Sequence, residues 1–599
     1  MRKILALALA LCAPWPLAAQ NAITQEGTVL QNSPMMFRGN NRARQGATVS
    51  GAPTGQTVTT GDSVVGGRCD YSAPTDDPLG YYRMCIDAKT GTIRLDGTKT
   101  PPQGTIKIVI NGTSFELPGT AALVGSDAAV SNTAALKNVI GTPGKHILRL
   151  GFWGPGDGGV ASYNWQDGNC AAADDGAQVQ PSGTGCWVAD FTDLTAASVS
   201  VWGVDMTATI PSEAMFQKAI NWQMSTRGSC LLVPVGGVRL ESALVWSGQK
   251  VCIRGVDRYK SAIFQISTGD DIFRFNGPAS PDYYYGATIS DLALIGPGMQ
   301  VHSNGSGMVF GRVTDIDIKD VIISNTYEGI RAVDAGIVNL TRVKVQQTKS
   351  TSYSFEGQDT VSFPNGPQAV YMTDCTSFSG PTLPEAQHQT APSINVNAVG
   401  ELHINGGTFV GGFYGMYVKP STAHGARYIY ANNVNFESAR NFGVVLDSRD
   451  GGTISEVTFT GGRISHSEVG NNLRVMGPRS FNVVFSGVTL VGSGAANVVI
   501  ENVRGITFTG NHFLASNLSF QNLSAIEVNG GENIAFVGNL WGDWMDGGHP
   551  YTTYSLFVDA AFAGGLLVVG NDMRANTTAP ILNNAPTSNW KFANNLGLP

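Results

Sequence analysis

The feature that most constrains this chain is a six-residue unit that keeps returning in its C-terminal half: apolar, any, turn residue, any, any, apolar. It stands at Ile289–Leu294, Ile318–Ile323, Leu340–Val345, Ile404–Phe409, Phe459–Ile464, Phe485–Leu490, Phe508–Phe513, Phe536–Trp541 and Val568–Met573. Two looser copies end at Phe378 and Phe436, and successive copies end 22 to 33 residues apart. Periods in that range mark solenoids, propellers or arrays. A second apolar run follows several copies, as in Gly415–Val418, Gly443–Leu446 and Asn497–Ile500. Short strands, no helices between them and turns of variable length favour an all-β parallel β-helix over radial blades. In such a coil each rung lies ~4.8 Å above the last, so residues distant in sequence become vertical neighbours.

Composition supports an elongated repeat. A chain of 599 residues exceeds one compact core, which stops growing near ~250–300 residues. Apolar residues at 42% exclude a disordered chain, and charged residues are only 14%. The formal net charge of -7 gives phosphate backbones nothing to hold, which excludes nucleic acid as a main partner.

Arg2 and Lys3 precede an apolar run from Ile4 to Ala13 and a small-residue stretch to Ala19. This pattern predicts a signal peptide over 1–19, cleaved near Ala19, and a secreted or periplasmic protein. The run is too short to span a bilayer, and no later stretch is long enough, so no membrane span is expected. Among the remaining cysteines, Cys170–Cys186 is the leading disulfide and Cys69–Cys85 the next. Cys230 and Cys252 read as stacked core residues and Cys375 as a buried thiol. No His/Cys grouping has ligand spacing, so no metal centre is expected.

Residues 20–130 read as a small β module, with a hairpin turning at Asn111-Gly112 after Thr105–Ile110. Residues 131–200 form a glycine-rich, linker-like segment. The coil should occupy 201–599, closed at its N-terminal end by a helix near 212–223. Ser212 is its expected N-cap, and Met215, Phe216, Ala219 and Ile220 share a face.

The stretch from Gly154 to Phe191 resembles the Gly-rich, Trp-containing segment that precedes the coil in phage tailspikes and related pectate-lyase-superfamily proteins. Ala197–Asp205 is similar to that family's strand before its capping helix. The family's Gly-Asp-Gly-Val-Thr-Asp-Asp motif is replaced by Met206–Ser212, so its aspartates are missing. The front module, with Tyr81–Cys85 and Ile110-Asn111-Gly112, is similar to the head of tail-fibre-like proteins. The resemblance implies a right-handed parallel β-helix, often a homotrimer, whose partner is a polysaccharide. Glu328-Gly329-Ile330-Arg331 faintly resembles a chondroitinase-type lyase motif. The Asn-x-Asp, Asp-Asp, Gly-His-Gly and Arg-x-Lys series of polygalacturonases is absent.

Stacking turns the repeat into a map of candidate site residues. Counting eleven past a unit's end reaches Asp334, Glu356, Asp447 and Glu501, where alternation points outward. Glu527 is a further outward acid, and Arg331, Tyr417, Lys419, Arg474 and Trp544 are candidate substrate contacts. Asp334 and Glu356 should lie on adjacent rungs, and Asp447 and Glu501 two rungs apart with Arg474 between. Hydrolysis of a glycoside needs one carboxyl group as acid and another as nucleophile or base. A lyase needs a base plus a cation on a uronate carboxylate, supplied by Lys419, Arg474 or Ca²⁺; no other cofactor is expected. The column Asp291, Asp320, Arg342 and Asp374 falls at the turn and reads as structural. Two functions compete: an exported polysaccharide hydrolase or lyase, and a non-catalytic structural or glycan-binding tail-fibre-like protein. Val445, Val499 and Phe557 at outward positions favour burial between subunits.

Overall fold

Apolar alternation broken by a central turn residue dictates a strand, a sharp corner and a second strand, and the computed structural model has that corner at every copy of the repeat. The structure describes residues 129–597, apart from 192–195, 227–229, 280–281, 300, 302, 359–365, 380–388, 519–523, 543–551, 575, 577 and 587–588. Ahead of them it describes the backbone of strands Arg83–Ile86, Ile93–Asp96, Thr105–Ile110 and Thr113–Pro118. The signal peptide and Cys69 therefore lie outside the described residues. The chain divides into two units, Met1–Thr192 and Asp193–Pro599.

In the second unit the third residue of every repeat, from Asp291 to Gly570, has left-handed backbone, with φ between 51° and 67°. Asp, Asn and Gly dominate these corners because they tolerate that region best. The first residues of the units are register partners, one directly over the next, from Ile289 through Ile318 and Leu340 to Phe536 and Val568. All are buried. Phe459, Phe485, Phe508 and Phe536 stack ring on ring, with centroids 5.0, 5.2 and 5.1 Å apart. Burying each ring contributes roughly 1.5–3 kcal/mol. Beside them Asn511, Asn539 and Asn571 donate to the carbonyls of Phe485, Phe508 and Phe536, satisfying backbone that the corner would otherwise leave unpaired.

The sixth residues from Leu294 to Trp541 stack in a thirteen-stranded parallel sheet. One position departs from the expected repeat. Ser377, not Phe378, is the register partner of Val345 and Phe409, and Phe378 points outward at 41% exposed. A one-residue slip exchanges the faces of a strand, and the apolar phenylalanine disguised it. The remaining strands form two further stacks, joined round a corner into a 26-stranded sheet. Among the described residues, every pairing in these sheets is parallel, as a right-handed β-helix requires.

Helix Glu213–Thr226 covers the N-terminal end through Phe216, Ala219 and Ile220. Gln217 clamps the first rungs by accepting from the Val245 N–H and donating to its carbonyl. Ser212 does not cap this helix with its hydroxyl; that group accepts from the Asp205 N–H and donates to the Ile210 carbonyl. Asp205 in turn accepts from Thr207, Thr209 and Ile210. Burial opposes its charge, but those hydrogen bonds prevail and hold the carboxyl well below the usual range. Cys230 and Cys252 are joined in a disulfide, rather than merely stacked. Their strands are adjacent rungs, which brings the Cα atoms to 4.6 Å. Cys375 is a buried free thiol, and burial pushes it up to about 12.

In the first unit, Thr105–Ile110 pairs antiparallel with Thr113–Pro118, with Ile110 opposite Thr113. The stretch read as linker-like is a five-stranded sheet around Leu136, Ile147, Tyr163, Trp165, Val179 and Trp187, closed by the Cys170–Cys186 disulfide. Glycines there make room for tryptophan: Gly185 has φ 113°, and a Cβ on it would lie 1.9 Å from the Trp165 ring.

Candidate functional site

Outward positions on one stack of the long sheet line up by register. Arg274, Val309, Arg331, Ser354, Asn395 and Tyr417 succeed one another, followed by Val445, Arg474, Val499 and Glu527. Two residues further along the same strands run Val333, Glu356, Asp447, Met476 and Glu501. Strand alternation explains why both columns share a face. Three groups occupy this strip.

The first group spans the rungs from Phe273–Asn276 to Ile394–Val396. Arg331 donates from Nε and Nη2 to Glu356 Oε2 at 3.1 and 2.8 Å. Ser354 donates to Glu356 Oε1 at 2.7 Å, and Asn395 donates to Ser354 at 3.2 Å. Three residues before Arg331, at the start of the same strand, the half-buried Glu328 accepts from the Ser306 hydroxyl at 3.2 Å. Asp271, paired with Arg274 at 2.8 Å, accepts from the Ser306 N–H. Burial pushes the Glu328 carboxyl up; Arg331 and the Ser306 bond pull it down, Glu356 and Asp271 push it further up, and the balance is upward.

The second group is aromatic. Tyr414 lies 4.8 Å from Tyr417 and 5.6 Å from Phe442, all three half-buried with ring area left to solvent. The Arg474 guanidinium sits 5.5 Å from the centre of the Phe442 ring.

The third group repeats the chemistry of the first. Arg474 pairs with Glu501 on the next rung, and Glu527 stands on the rung beyond. Burial pushes Glu527 up, against a bond to Asn529 and the charge of Arg474 and with the help of Glu501. Asp447, 1% exposed, is gripped by Arg449 at 2.9 Å. Burial opposes its charge, yet Arg449 holds the carboxyl below its ordinary value. Lys419 pairs with Asp450 at 2.9 Å.

Glu356, Glu501, Glu527, Arg331, Tyr417, Lys419 and Arg474 therefore share one face; Asp447 has the register of that face but is buried and held by Arg449. Asp334 does not join them. Its backbone bonds to the Glu356 carbonyl, as adjacent rungs require, but φ 47° turns its side chain out of alternation into the interior. There it is fully buried and accepts from the Gln358 N–H, while burial pushes the carboxyl up. Trp544 lies outside the described residues. Val445 and Val499 are buried within the single chain, at 2% and 6% exposed, and offer no apolar surface to another subunit. The turn column is structural, with Arg342 donating to both oxygens of Asp320.

Glu328, Asp271, Arg274, Tyr414 and Phe442 were missed by counting from the repeat ends. They lie at strand starts, inside strands or, for Asp271, just ahead of one, where the count does not land. The signal for Glu328 was its place three residues before Arg331. Among the described residues, no group of three or more His, Cys, Asp or Glu is arranged to hold a metal ion. No helix of the described residues is long and apolar enough to cross a membrane.

No protein-family model matches this chain, and no curated protein does. Among solved structures it is similar to tailspike protein 3 of bacteriophage CBA120, with a TM-score of 0.53, 16% identity, and 87% of this chain and 88% of that one covered. An A-module of an Azotobacter vinelandii mannuronan C-5 epimerase (AlgE4) gives a TM-score of 0.46 at 14% identity, over 66% of this chain and 99% of the other. Tailspike gp49 of Acinetobacter baumannii bacteriophage Fri1, described as a capsular polysaccharide depolymerase, gives 0.41 at 14% identity, over 78% and 75%. From its own register of strands and this likeness, the chain is a right-handed parallel β-helix of the kind on which the CBA120 tailspike is built.

Proposed function

We propose that this chain is an exported, carbohydrate-active β-helix protein that cleaves a polysaccharide laid along the strip. One observation carries the reading: Glu328, a half-buried glutamate with an upward-shifted carboxyl, lies within reach of the charges of Arg331 and Glu356 on the strand stack that bears the Tyr414–Tyr417–Phe442 platform. A carboxyl that keeps its proton toward neutral pH is what a general acid requires. In this reading Glu328 gives its proton to the leaving glycosidic oxygen. Water bonds to the anomeric carbon as the C–O bond breaks, and its proton passes to Glu356, which Arg331 and Ser354 orient. Aromatic faces beside the acids suit the apolar faces of sugar rings. The Arg474, Glu501 and Glu527 group supports either a second centre or further sugar subsites. The two disulfides and the N-terminal pattern support export to the periplasm or the medium.

The test is release of reducing ends from a polysaccharide panel. Glu328→Gln should lower the rate ~10²–10⁴-fold while leaving polymer binding intact. Binding without cleavage by the unaltered chain across a wide panel would favour the second reading, a glycan-binding tail-fibre-like protein, which the aromatic platform alone could serve.

A further inference from the structure

The charges on the strip are arranged in a way that bears on the substrate, given the reading above. Five cations on or beside this face have carboxylate partners, Arg274, Arg331, Lys419, Arg449 and Arg474, while Arg479 donates to the Gly451 carbonyl. The five partners are respectively Asp271, Glu356, Asp450, Asp447 and Glu501. Glu328 and Glu527 are the acids left over after that pairing. The face thus carries more carboxyl groups than cations, and its cations are already engaged.

We infer that the polysaccharide cut here carries no carboxylate: its backbone is an uncharged glycan, neutral or N-acetylated, and it is cleaved by hydrolysis rather than by β-elimination. Two physical arguments converge. A uronate carboxylate placed beside Glu356 and Asp271 would meet like charges, and to gain a cation it would have to displace a carboxylate already paired at hydrogen-bonding distance. Elimination also requires a carboxyl group on the sugar to acidify the neighbouring C–H, with a cation to neutralise it. A glycan without carboxylates has no such proton, whereas hydrolysis needs only the proton of Glu328, water and an acceptor.

The experiment compares uncharged polysaccharides with uronate-containing ones, using the full chain, with and without added calcium. Retention in affinity gels, reducing ends and the ultraviolet absorbance of unsaturated uronates are read in parallel. Retention and reducing-end release confined to the uncharged arm, with release lost in Glu328→Gln, is the expected result. Glu527→Lys, which supplies a cation without a partner, should bring retention of uronate polymers. Uronate polymers cleaved by the unaltered chain, with or without calcium, would overturn this inference and leave the polysaccharide-cleaving reading standing. No retention or cleavage of either class would overturn both.

Discussion

At the scale of single residues, the strip sets opposite pH behaviours side by side. Glu328 has a folded-state value above the ordinary 4.5 of a glutamate, so its proton is held more tightly in the folded chain than in the unfolded one. Its contribution to stability is present below the unfolded value and is lost as pH rises through the folded one. Glu328→Gln should therefore raise the melting temperature at neutral pH relative to the parent, with a smaller difference in acid, while removing activity. Thermal melts at several pH values measure this directly. Asp447 behaves in reverse. Arg449 holds it below the ordinary 3.8, so its stabilisation is present above that value and fades as pH falls through the lowered one. Arg449 is 54% exposed and screened by water, so Asp447→Asn should cost only about 1 kcal/mol, with the difference from parent vanishing in strong acid.

Individual elements owe their stability to vertical neighbours. Phe508 is stacked between Phe485 and Phe536, and Phe508→Ala would leave a cavity inside a rigid ladder. A loss of about 3–5 kcal/mol is expected in chemical denaturation of the coil. The Cys230–Cys252 disulfide staples the rungs under the capping helix, closing a loop with a sequence separation of 22. Replacing both cysteines by serine should cost about 3 kcal/mol and expose that end of the coil to proteolysis first. In the first unit, Gly185→Ala places a methyl group against Trp165 in backbone that side chains rarely adopt. Loss of the near-ultraviolet tryptophan signal of that unit is the expected consequence.

Across the whole molecule, a solenoid is stabilised rung by rung, because each rung touches only its neighbours. The central rungs are covered on both sides. The last strands, Ala579–Asn583 and Trp590–Ala593, have no fully buried residue. Hydrogen exchange should thus be slowest in the middle of the coil, near Phe459–Phe536, and quickest at the C-terminal rungs. Uniform protection along the coil would contradict this nearest-neighbour account. Sedimentation of the full chain would test the homotrimer expected from the sequence resemblance; Val445 and Val499, buried within the single chain, give it no support.

The sequence by itself determined the coil. A left-handed corner residue between two apolar ones, returning once per rung, admits few folds, and every corner from Asp291 to Gly570 follows that rule. It also placed most of the strip, since period-two alternation tells which side chains share a face once the rungs are in register. It failed where register or backbone turned locally. Ser377 replaces Phe378 inside, Asp334 turns inward at φ 47°, and Cys230 meets Cys252 because one rung separates them. Only the tertiary structure decided which carboxyl groups are shifted upward. The charge state of Glu328 depends on Ser306, Asp271 and Glu356, brought to it from neighbouring rungs, and burial and through-space charge have no signature in the order of residues along a chain.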